Sequence, residues 1–150
     1  MSRKPSYTSF ITLTAFSLGI LFIYTATGKL MHLGIFQLRL ERMPQLSPIA
    51  HWIAWLIPFT ELVITGLLLI PKYRLAGMYA SLILLGIFTG YIILVLQTSD
   101  SVPCSCGGVI SALGWKDHIL LNAFFMAMSL VAIILNTKQN RNKILDKHTT

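Results

Sequence analysis

The sequence predicts an all-α membrane protein: a bundle of four transmembrane helices with an amphipathic outer segment between the first and second. Two observations predict it. Of 150 residues, 55% are hydrophobic and only 11% are charged, whereas a soluble domain carries about 25% charged residues. So few charges cannot coat a water-facing globule, but a bilayer supplies the apolar solvent that such a surface needs. The second observation is placement. The apolar residues gather into four runs, each near the roughly 20 residues that a helix needs to cross about 30 Å of hydrocarbon. No alternating polar-inward pattern appears, which disfavours a transmembrane barrel. The length fits one integral membrane domain over residues 1–150. The net charge of +7 does not point to nucleic acid, because most charges sit at the ends of apolar runs, where membrane proteins keep them.

The first predicted helix covers residues 10–27, Phe10 to Thr27, without a charge. Arg3 and Lys4 precede it as a short basic start. The run is nevertheless long for a signal-peptide core, and Gly28-Lys29-Leu30-Met31-His32 offers no small-x-small cleavage pattern, so the helix is expected to be retained. Residues 28–48 carry Leu30, Met31, Ile35, Phe36, Leu38 and Leu40 at helical spacing. They read as an amphipathic stretch on the outer surface, closed by Pro44 and Pro48. The second helix, 49–70, is interrupted by Pro58 and by one charge, Glu61. Pro71 to Arg74 form a tight turn that makes helices two and three antiparallel neighbours. The third helix is 75–96 and the fourth 119–135, both charge-free. Asp117, just ahead of Ile119, reads as the N-terminal cap of the fourth helix. The polar tail after it is expected to fray.

Lysine and arginine set the orientation. One face gathers Arg3, Lys4, Lys72, Arg74, Lys138, Arg141, Lys143 and Lys147; the other has Lys29, Arg39, Arg42 and Lys116. Eight against four puts both termini in the cytoplasm. The third-to-fourth connection then faces outward, where disulfides can persist. Trp52, Trp55 and Trp115 fit an aromatic belt on that outer side. His32 and His51 flank the amphipathic stretch and read as solvated interfacial residues.

The two cysteines of the chain, Cys104 and Cys106, stand in that connection, between Pro103 and Gly107-Gly108. Cysteines one residue apart close only a small, strained ring, and departure from relaxed disulfide geometry makes a bond easier to reduce. Such a bridge closes almost no chain, so its loop-entropy contribution is small. Thiol–disulfide exchange is the sharpest reading, with Cys104 and Cys106 as the reacting pair. Three other readings stay open: a purely structural bridge, cysteines serving as small apolar residues, and capture of copper(I) by the thiolates with help from His118. No closed zinc spacing is present, so no metal site is assigned. Met126 and Met128 lie well inside the fourth helix and read as packing or lipid contacts.

Glu61 sits about twelve residues into its helix, where an ionised carboxylate costs about 2.5–3.5 kcal/mol even on a lenient insertion scale. It is therefore expected to be protonated, paired or turned to a polar interior. Either it handles protons or it ties helices together, with Tyr24, Thr25, Tyr91 and Asn122 as candidate partners. Lys29 reaches inward only from the outer end. Pro58, three residues before Glu61, should kink or loosen the helix beside it.

These features occur together in one order: Gly28-Lys29 after the first helix, Pro58-x-x-Glu61 in the second, the outward Cys-Ser-Cys-Gly-Gly connection, and Trp115 with Asn122 opening the fourth. In this the chain resembles the MauE branch of the DoxX-like membrane proteins, over roughly Thr8 to Asn136. The resemblance implies a redox-associated protein of the bacterial inner membrane. It implies an extracytoplasmic thioredoxin-like or disulfide-containing partner, in the manner of MauE in methylamine utilisation, which is linked to maturation of a disulfide-rich dehydrogenase subunit. The chain is similar in spirit to the vitamin K epoxide reductase and disulfide-bond-formation B proteins, four-helix partners of quinones. Those carry a CxxC pair and further relay cysteines, whereas this chain has one CxC pair. A quinone near Glu61 is compatible with the reading but has no motif of its own. The expected function is thus a thiol–disulfide oxidoreductase component, and the competing one a non-catalytic scaffold subunit of a redox or transport complex.

Overall fold

In the computed structural model, which describes residues 5–43, 45–98 and 115–148, every regular element is helical. The elements are α1 (Pro5–Met31), α2 (Leu33–Glu41), a single 3-10 turn (Ser47–Ile49), α3 (Ala50–Leu69), α4 (Arg74–Thr98) and α5 (Trp115–His148). Four helices, α1, α3, α4 and α5, are long and apolar enough to cross a membrane. They form a ring in the order α1, α3, α4, α5: each packs against its two neighbours, and α1 barely meets α4 across the diagonal.

The core follows from one inward stripe per helix. On α1 the buried residues Ile11, Ala15, Leu18, Phe22 and Ala26 recur at steps of three or four, which keeps them on one face. On α3 the stripe is Ala50, Ala54, Pro58, Glu61, Ile64, Thr65 and Leu68. Met78 and Leu85 of α4, with Ala132 and Ile133 of α5, complete the cluster. The opposite faces are apolar too. Ile20, Phe59, Ile83 and Leu120, one from each long helix, are 68%, 65%, 62% and 70% exposed. Apolar side chains so open on every side of the ring need hydrocarbon as their solvent.

Polar contacts within the ring fix which ends meet. Arg74, opening α4, donates to Thr12 Oγ1 of α1 at 3.1 Å, and Gln139 of α5 donates to Thr8 at 3.3 Å. Midway, Ser129 donates to the Met78 carbonyl at 3.0 Å. The α3–α4 turn packs backbone on backbone: a Cβ on Gly77 would meet Leu68 N at 2.9 Å, so only glycine allows that approach. The last turn of α1, the start of α3, the end of α4 and the start of α5 therefore share the other end of the ring.

The element boundaries depart from the sequence expectation in three places. α1 does not stop at Thr27 but continues through Gly28 and Lys29 to Met31; one glycine inside a helix costs only about 1 kcal/mol against alanine and does not end it. The amphipathic segment holds the short α2, whose Leu40 is buried with Ala50 and Ala54 while Ile35 and Leu38 stay exposed. The tail after Leu135 is not frayed: α5 runs on to His148, since residues 136–148 contain good helix formers and neither Gly nor Pro. Asp117 accordingly lies inside the first turn of α5 instead of capping it, where a carboxylate complements the helix dipole. α3 passes continuously through Pro58.

Candidate functional site

Each of the four long helices contributes to one polar cluster near the end of the ring where α1 finishes. The cluster is built around Lys29. Continuing the inward stripe of α1 by its own step takes it from Phe22 to Thr25 and then to Lys29, so the last turn of α1 aims the ammonium at the bundle axis. Lys29 Nζ lies 2.5 Å from Glu61 Oε1 of α3. Thr25 Oγ1 donates to the same oxygen at 3.1 Å. From α4, the ring of Phe88 stands 5.4 Å from Nζ, centroid to nitrogen, a cation–π distance. From α5 comes His118, half-buried in the first turn of that helix at the same end of the ring.

Burial makes the pair consequential. Glu61 is 1% exposed, whereas the Lys29 side chain keeps 21% of its surface open. Two buried atoms of the cluster, Glu61 Oε2 and His118 Nδ1, have no hydrogen-bond partner among the described residues. Chemically, the arrangement is a carboxyl group with one oxygen occupied and the other vacant. It sits under an ammonium that keeps part of its side chain open, at the end of the ring where α5 begins with His118 in its first turn.

Of the partners expected for Glu61, the structure selects Thr25 and Lys29. Tyr24 is exposed, Tyr91 donates to Met43 Sδ, and Asn122 donates to Thr89 Oγ1 at 3.2 Å. His32 and His51 are exposed, as are Trp52 and Trp55. Met126 packs against the core, its Cε 3.8 Å from a Cβ built on Gly86. Among the described residues no group of three or more His, Cys, Asp and Glu could hold a metal ion. Cys104 and Cys106 lie outside the described residues, with Pro103, Gly107 and Gly108, as do Arg3, Lys4 and Pro44. The chain leaves α4 at Thr98 and enters α5 at Trp115, both at the Lys29 end.

The model of one protein family, described as methylamine utilisation protein MauE, matches residues 7–135. The chain belongs to the MauE family. No curated protein and no solved structure matches it. The MauE match opens in the first turn of α1 and closes within α5, so it takes in Lys29, Glu61, Phe88 and His118 together with the cysteine pair. The polar extension of α5 falls outside it. Membership agrees with the architecture, a multi-pass protein whose four long helices are apolar enough to span a bilayer.

Sequence reasoning singled out Glu61 and Lys29 and offered Thr25 among four candidate partners, but it did not place Phe88 or His118 with them. The signal for Thr25 and Lys29 was present, in the step of the α1 stripe. Phe88 and His118 carry no such signal, because only the order of helices around the ring brings them to Lys29.

Proposed function

We infer that the protein is a membrane component of disulfide maturation, exchanging electrons with an extracytoplasmic thioredoxin-like or disulfide-containing partner through Cys104 and Cys106. One observation carries the reading: the segment that holds the pair joins α4 to α5 at the end of the ring where Lys29 is partly open. A cation near a thiol favours the thiolate, the nucleophile in exchange. In the reaction a thiolate of one protein attacks a disulfide sulfur of the other, forming a mixed disulfide and releasing the second sulfur as thiolate. The neighbouring thiol, as thiolate, then displaces the mixed bond, and electrons pass as a pair with no net change in protons between dithiol and disulfide. The DoxX-like relationship and the inner-membrane location belong to the same proposal, as do cytoplasmic termini and an outward-facing cysteine pair, which the lysine and arginine bias supports.

Trapping tests it. Cys104→Ser and Cys106→Ser are expressed separately in membranes, and mixed disulfides are separated without reductant. One of the two variants is expected to retain a specific extracytoplasmic protein, which names the partner and the attacking sulfur. If neither variant retains one, and thiol labelling finds the wild-type pair permanently oxidised, exchange is wrong and the scaffold reading takes its place.

A further inference from the structure

We propose that Glu61, Lys29 and His118 form a proton-exchange site on the bundle axis, in equilibrium with water at the Lys29 end. The proposal does not rest on the exchange reading. Its basis is geometric. Glu61 Oε1 already accepts from Lys29 and Thr25, while Oε2 is buried with no partner among the described residues. A helix-tying carboxylate would be expected to use both oxygens, since an unpaired buried acceptor costs the full desolvation of that atom. The vacant oxygen of a residue 1% exposed is the place where a proton can be held.

The cluster can arrange its protons in more than one way without moving a helix. With Lys29 as ammonium and Glu61 as carboxylate, the charges cancel across 2.5 Å. Passing the proton breaks one N–H bond on Nζ and forms one O–H bond on the carboxylate, and leaves two neutral groups, which a low-dielectric interior accommodates. His118 is the third member. His118 opens α5 at the same end of the ring, and a proton on its unpartnered Nδ1 adds positive charge there, which favours transfer of the Lys29 proton to Glu61. Lys29, with 21% of its side chain open, is the contact with water.

The remaining charged groups leave this cluster to itself. Among the described residues α1 has no other charged side chain than Lys29, and α4 has only Arg74, at the far end. On α5, Lys116 and Asp117 are exposed at the helix start. On α2, packed against α3, Glu41 and Arg42 are exposed and Arg39 has one buried nitrogen; His51 of α3 is exposed. The nearest titratable phenol of α4, Tyr91, is turned to Met43.

The test is infrared difference spectroscopy on the full chain in lipid vesicles as the outer pH is stepped. A carboxylic-acid carbonyl band that changes with pH is expected, together with its loss in Glu61→Gln. Should that variant not fold, glutamate labelled with carbon-13 replaces it. The chain has two glutamates, Glu41 and Glu61, so a label-shifted band that persists in Glu41→Gln belongs to Glu61. His118→Asn is expected to move the midpoint by about one pH unit, a tenfold change in proton concentration. The band is expected to persist in the Cys104→Ser/Cys106→Ser double variant, so failure of exchange and failure of this site are read separately. Absence of any pH-dependent band from Glu61 overturns the proposal, and so does a midpoint that His118→Asn leaves in place.

Discussion

Replacing Lys29 by Met removes the cation from a carboxylate that cannot follow it to water. At 2.5 Å and an effective dielectric constant near 20, the gross attraction is roughly 7 kcal/mol. Desolvation of both groups offsets much of that, and the net cost of breaking a buried pair from one side is about 3–5 kcal/mol. Lys29 keeps 21% of its side chain open, which puts the expected loss for Lys29→Met near the lower bound, about 3 kcal/mol. Glu61→Gln costs less, about 1–2 kcal/mol, because the stranded ammonium can snorkel outward. The double variant loses both charges at once and retains a polar side chain under Thr25, so it should cost about as much as Glu61→Gln by itself. The cycle then gives a coupling of about 3 kcal/mol, the whole of the Lys29→Met loss. Reversible unfolding in mixed micelles, followed by circular dichroism, measures all four proteins. If the double variant loses the sum of the two single losses to within about 0.5 kcal/mol, the two residues are not coupled and the pair does not hold the helices.

Four more outcomes are expected. Gly77→Ala forces a Cβ to 2.9 Å from Leu68 N and should cost about 1–3 kcal/mol in the same unfolding assay. Gly90→Ala, where a Cβ meets nothing within 4 Å, should be neutral or stabilise by up to about 1 kcal/mol; equal effects at the two sites would refute the close α3–α4 contact. Asn122→Ala removes the bond to Thr89 across α4 and α5 and should cost about 0.6 kcal/mol, within the range for interhelical bonds in membranes. Trp52 and Trp55 are exposed in the first two turns of α3, so their fluorescence should be quenched more by lipids brominated near the headgroup than by lipids brominated near the chain end; the opposite order would mean that the helix is placed differently in the bilayer.

The four spans were legible because hydrophobic length is a property of the chain itself, and so was the anomaly of a carboxylate in the second one. What fixed the partner of Glu61 was harder to see. Ending the first helix at Thr27 cut the inward stripe just before its last member, and Lys29 then looked like a surface lysine reaching in from outside. Local sequence argues for that boundary, since Gly28 and a charge follow an apolar run. The buried pair and the packing of Thr25 outweigh it. The tail differs from expectation for a related reason. Polarity suggests fraying, but residues 136–148 have neither Gly nor Pro, and α5 supplies an existing helix from which propagation is cheap. Phe88 and His118 depend on the ring order α1, α3, α4, α5, which no local pattern encodes.

The Lys29–Glu61 pair also constrains how the protein is made. The two residues are 32 apart in the chain, so α1 reaches the membrane ahead of its carboxylate. During that interval the ammonium has no buried partner and must remain at the water boundary, which its place in the last turn of α1 permits. When α3 follows, Glu61 has to cross part of the hydrocarbon, and a waiting cation lowers the expense of that passage. Exchanging the two residues would reverse the order: the carboxylate would lie at the edge of the first helix and the ammonium deep in the third. The finished pair would have the same charges, but the late-arriving helix would then carry a lysine into the membrane. The present arrangement gives the early, edge position to the side chain with the longer reach.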